Sequence, residues 1–117
     1  PVYFAGLSIS GATALHLARD HADEFSGVVV VASAATVGEP ARWLERADQV
    51  VATGTQQLVE ETTKRWFTPM FRAQQAAVVD VIMEGLSVAD DHSYAQLCRA
   101  LAAHDVRDDL PYITLPV

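Results

Sequence analysis

The run Gly6-Leu7-Ser8-Ile9-Ser10-Gly11 sets a serine between small residues two positions before it and two after it. That pattern suits a hydroxyl nucleophile raised on a sharp turn from strand into helix. Such a turn strains the backbone of the serine, and the small flanking residues keep strand and helix from colliding. Positive φ is therefore expected at Ser8, although it is not glycine. The turn would do two things. It would lift the Ser8 hydroxyl above the C-terminal edge of a sheet, and it would aim the Ile9 backbone N–H, at a helix N-terminus, toward developing negative charge. A serine that merely capped the helix would use its side chain on the first-turn N–H groups instead. The apolar strand before it and the amphipathic helix after it favour the nucleophile.

A serine nucleophile needs a general base and an acid that orients it. Where a turn of this kind carries a triad, the order along the chain is serine, then Asp or Glu, then His. His16 and His21 lie on the helix that follows Ser8, and His92 and His104 flank a later helix. All four read as surface histidines rather than as the base. Ala32-Ser33-Ala34-Ala35-Thr36 holds no carboxylate. The acid and the base are therefore expected beyond Val117. The chain has one cysteine and no H-E-x-x-H, so no zinc spacing exists, and it has neither a P-loop nor a G-x-G-x-x-G. Glu60-Glu61 and Asp108-Asp109 read as solvated charge, with Glu60 and Lys64 paired at i, i+4 on a helix.

The elements that must position Ser8 follow from periodicity. Val2 to Ala5 is a short apolar strand ending at Gly6. Ala12, Leu15, Leu17 and Ala18 mark one face of a helix. Val28 to Val31, four β-branched residues without polar alternation, predict a strand buried on both faces, as in a parallel sheet. Together they form a βαβ unit with a right-handed crossover. From Pro40 the period stays helical. One helix with Ala47, Val50 and Val51 inward ends at Gly54, and a second spans Thr55 to Trp66. The Thr68-Pro69 step interrupts, and a third spans Ala76 to Leu86 with Val78, Val79, Ile82 and Leu86 on one side. A fourth, capped by Asp90 or Asp91, carries Tyr94, Leu97, Cys98 and Leu101. The tail is a loop that ends as a new strand is about to start. The expected organisation is a core segment at 1–38, a helical cap at 39–106 and a return segment at 107–117. Pro1 in place of Met, with a strand beginning at once, reads as a chain cut inside a domain.

With 15 acidic against 8 basic residues, the formal net charge of −7 argues against nucleic acid and anionic membrane as partners. Val28 to Ala32, the longest apolar run, is too short to cross a bilayer. No secretion signal opens the chain, and Cys98 has no partner within it for a disulfide. A reducing cytoplasm is the expected location.

The whole chain resembles the 3-oxoadipate enol-lactonases of the α/β-hydrolase superfamily. The resemblance is carried by Gly6-Leu7-Ser8, by Ala32-Ser33-Ala34-Ala35 with Val37-Gly38, and by Arg65-Trp66-Phe67-Thr68-Pro69 with Phe71. It continues from Tyr94-Ala95 through Cys98, Ala100 and Leu101 to Asp105-Val106-Arg107-Asp108-Asp109-Leu110. It implies a partial α/β-hydrolase fold, a parallel βαβ core segment plus a helical cap over the active site. It implies hydrolysis of an enol-lactone to 3-oxoadipate in the bacterial breakdown of protocatechuate or catechol, without metal or organic cofactor. Ser8 would be the nucleophile and Ile9 N–H one oxyanion donor, with the second donor on an upstream loop. The expected partner is a small lactone or ester. Trp66, Tyr94 and Cys98 are the candidate pocket residues, while Phe67 and Met70 are expected to pack cap helices together. Two positions depart from the family pattern. Ser10 stands where glycine is usual, and Thr36 stands where arginine is common, so a substrate carboxylate would need another cation, with Arg42, Arg65 and Arg72 available. A related lactonase or carboxylesterase with a neutral substrate is the alternative enzyme. A non-catalytic small-molecule-binding protein on the same scaffold is the alternative of a different class. Without acid, base and second oxyanion donor, the chain alone is expected to be inactive.

Overall fold

The computed structural model describes residues 1–117. The strands are β1 (Tyr3–Leu7) and β2 (Gly27–Val31). The α-helices are α1 (Ile9–Asp20), α2 (Pro40–Thr53), α3 (Val59–Trp66), α4 (Pro69–Gln74), α5 (Ala76–Ser87) and α6 (Asp91–Ala103), with 3-10 turns at Thr55–Leu58 and Leu110–Tyr112. The chain forms two compact units, Pro1–Leu44 with Arg99–Val117, and Glu45–Cys98.

In the first unit β1 and β2 pair in parallel, Tyr3 opposite Gly27 and Leu7 opposite Val31. Helix α1 joins them, so the βαβ unit is as the sequence predicts. Ala14, Ala18 and Val28 form the buried centre, with Phe4, Val30, Ile113 and Leu115 packed around it. Alanines on the buried face let α1 lie close to the strands, and Phe25 meets Phe4 edge to face at 6.4 Å. Within this chain α1 covers one face of the strand pair. Side chains alternate along a strand, so Val28 and Val30 pack while Val29 and Val31 point to the other side and are 53% and 45% exposed. Tyr3 and Leu7 are exposed on β1 as well, because α1 covers only one face of the pair. The tail is not a strand, but Pro116 O accepts from Val28 N at 2.9 Å.

The second unit is helical around Val50, Leu58, Val79, Met83 and Leu86, with Val59, Phe67 and Tyr94 against them. The inward stripe of α5 is Val79, Met83 and Leu86; Val78 and Ile82, expected inward, are exposed, as is Val51 on α2. Gly54, at φ 84, stops α2, and the following helix starts as a 3-10 turn. Thr55 there is buried, its N–H donating to Asp91 Oδ1 at 2.7 Å and its hydroxyl to Ala89 O at 3.2 Å. The Thr68-Pro69 step ends α3 and also starts α4, since Thr68 Oγ1 accepts from Phe71 N with proline in the first turn. Asp90 caps α6 through Ser93 N at 2.7 Å.

Asp91 is thus committed to the buried Thr55 N–H rather than to its own helix. Asp91→Ala leaves that donor unpaired and is expected to lower stability by about 1–3 kcal/mol, read as the urea unfolding midpoint of the full-length protein. An unchanged midpoint would show that the bond contributes nothing net.

Candidate active site

Gly6 is the last small residue of β1 and pairs with Val30. A Cβ on it would lie 2.0 Å from the Ser10 carbonyl oxygen and 2.6 Å from Gly11 N, so only glycine lets the first turn of α1 fold back on the strand. Gly11 is confined too: its Cβ would meet Ser33 Cβ at 2.6 Å and Gly6 O at 3.0 Å. Ser10 is exposed. The close packing therefore falls on Gly6 and Gly11, and a hydroxymethyl at position 10 is accommodated.

Between these glycines Ser8 has φ 55 and ψ −118, positive as the turn predicts. That pair lies outside the small left-handed region other non-glycine residues use, a conformation costing about 1–3 kcal/mol. Its N–H donates to Val31 O at 2.9 Å, and its carbonyl accepts from Gly11 N and Ala12 N. Its side chain is exposed and makes no capping bond. The backbone is pinned to both strands and helix while the hydroxyl stays uncommitted. Ile9 is the first residue of α1, so its N–H has no intrahelical acceptor. Ala32, at the end of β2, is the other non-glycine residue with positive φ, 47. Nothing in its type signals this; its place after the paired strand could have.

Of the four histidines, His104 departs from the expected surface position. His104 is buried, not on the surface, and its Nδ1 lies 3.1 Å from His16 Nε2. His21 is exposed and bonded to Glu24, and His92 is exposed near Gln96. None hydrogen-bonds Ser8. Trp66, Tyr94 and Cys98 all fall in the second unit. Trp66 is 56% exposed at the end of α3, Tyr94 packs on that unit's apolar core, and Cys98 is buried on α6. An open cleft of about 310 Å³ in the first unit is lined by Thr36, Gly38, Glu39, Leu101, His104 and Asp105 among others, and by none of those three. No three metal-ligating side chains converge, and no helix is long and apolar enough to cross a membrane.

The crystal structure of the enol-lactonase from Burkholderia xenovorans superposes with a TM-score of 0.93 at 33% identity, over 98% of this chain and 44% of that one. A hydrolase from Pseudomonas aeruginosa does so at 0.91 and 25% identity, with the same coverage. The chain has a partial α/β-hydrolase fold. Two 3-oxoadipate enol-lactonases of Acinetobacter baylyi are 35% and 36% identical to this chain over 114 residues, 97% of its length and 43% of theirs. A pimeloyl-(acyl-carrier protein) methyl ester esterase of Vibrio vulnificus is 32% identical over 97% of this chain and 48% of its own. The chain thus spans a little under half the length of the curated relatives it matches. No family model matches it.

The two glycines define what the elbow tolerates. Gly6→Ala is expected to cost about 1–3 kcal/mol, since the new methyl meets backbone rather than a movable side chain. Ser10→Ala should be near neutral. Thermal unfolding of the two full-length variants compares them, and equal melting temperatures would refute the close contact at Gly6.

Proposed function

We propose that the protein is a serine hydrolase that opens a small lactone by acyl transfer to Ser8, with 3-oxoadipate enol-lactone as substrate and 3-oxoadipate as product. The single observation behind this reading is Ser8 itself, a strained backbone carrying a free, exposed hydroxyl beside an unbonded helix N-terminal N–H. The similarity to 3-oxoadipate enol-lactonases supports a lactone as the substrate class. The reaction would serve the β-ketoadipate route of aromatic catabolism in the cytoplasm.

Ser8 Oγ would attack the lactone carbonyl while a base supplied by the rest of the protein takes its proton. Negative charge gathering on the carbonyl oxygen would meet Ile9 N–H, strengthened by the α1 dipole. Collapse expels the ring oxygen as an enolate that stays tethered to the acyl group, and protonation gives the ketone. Water then releases the acid from Ser8. The scheme uses no metal and no cofactor. Of the three candidate pocket residues, Trp66 is favoured, because its indole is exposed while Tyr94 and Cys98 are engaged in packing. Thr36, at a position where these lactonases often carry arginine, favours as second reading a carboxylesterase acting on a neutral ester, in keeping with the esterase relatives.

In the full-length protein Ser8→Ala should lower kcat on the enol-lactone by about 10⁴-fold or more while circular dichroism stays that of the wild type. A folded variant with near wild-type turnover would refute the nucleophile. Activity on neutral esters with none on the lactone would select the second reading.

A further inference from the structure

His16 lies on α1, the helix that starts at Ser8, and His104 follows α6. His104 is 6% exposed, its Nε2 is 2.9 Å from the Ala34 carbonyl oxygen, and its Nδ1 is 3.1 Å from His16 Nε2. A carbonyl can only accept, so the His104 proton sits on Nε2 and Nδ1 offers a lone pair. His16 Nε2–H must then donate to it. The direction of both bonds is fixed. They belong to a longer seam: Val106 N donates to Ala35 O at 3.0 Å, Thr36 and Asp105 form an antiparallel bridge, and Arg19 reaches Asp109 at 2.9 Å.

This seam accepts one proton but not two. A first proton on His16 Nδ1 leaves both bonds in place. A second must go to His104 Nδ1, which would set two N–H groups point to point between two cations. We propose that His16 and His104 form a proton-operated latch that holds residues 104–109 on α1 while at least one imidazole is neutral and releases them when both are charged.

The charged groups facing the pair are Arg19 and Asp20 on α1, with Asp105 and Asp109 in the stretch 104–109. Burial lowers the His16 pKa, and Arg19 and His104 lower it further, while Asp20 and Asp109 oppose them. Asp105 is held down to about 2 by its hydrogen bonds from Arg107 and stays anionic throughout. An imidazole in an unfolded chain titrates near about 6.5. The folded latch then binds fewer protons than the unfolded chain, so its contribution is complete above that pH and is lost as pH falls.

The test uses the full-length protein, wild type and His16→Gln, between about pH 7.5 and 5. Glutamine keeps an N–H donor for His104 Nδ1 but takes up no proton. The two proteins should match at the upper pH. Below about pH 6 the wild-type folding constant should fall up to about tenfold more per pH unit than the variant's, one proton being excluded. Nitrogen-15 spectra of the wild-type histidines, which need no variant, should show two titration steps more than about one unit apart. Amide exchange across 104–109 should quicken at the lower step. Equal loss in both proteins, or two imidazoles titrating independently, would overturn the latch.

Discussion

Backbone touches backbone where the chain turns at Ser8: a single methyl on Gly6 would sit 2.0 Å from the Ser10 carbonyl oxygen. That approach leaves no room for a relaxed loop between β1 and α1. Ser8 is therefore driven to φ 55, its N–H is tied to Val31 O, and its carbonyl starts the helix. The exposed hydroxyl and the unbonded N–H of Ile9 follow from the same turn. The strain there is supported by the small-residue packing of α1 on Val28, and by Gly11 against Ser33.

The elbow was legible because its demands are compositional: a strand-forming run, a glycine, a serine, a second glycine and an amphipathic helix. The parallel pairing was legible in the valine run, because β-branched residues suit a pleated, packed surface. Within α5 the apolar residues are so dense that period alone could not phase them, and the stripe fell on Met83 rather than Ile82. Helix α4 escaped because a Thr-Pro step is both a stop and a start. His104 escaped because its burial depends on partners at positions 16 and 34, far away in sequence.

Of the residues put forward for chemistry, Ser8 and Ile9 stand side by side at the elbow in the first unit, whereas Trp66, Tyr94 and Cys98 belong to the helical second unit. The distinction has a physical basis. A nucleophile needs a backbone geometry that short-range packing enforces, so its signature is local. A substrate-facing side chain needs only to be apolar and uncommitted, and the same residue types build helix cores. Tyr94 illustrates this, since the stripe that nominated it packs on Val50, Leu58 and their neighbours. Fold likewise constrains function loosely, because one scaffold serves lactones, esters and simple binding.

The central claim is that the strained Ser8 is a nucleophile in the complete protein. It is tested most directly by treating the native full-length protein with a fluorophosphonate near neutral pH and locating the adduct by mass spectrometry. The account predicts one phosphonyl group per chain, on the peptide containing Ser8, with no labelling after denaturation. Adduct on a different residue, or an enzyme that turns over lactone while Ser8 stays unmodified, would contradict it.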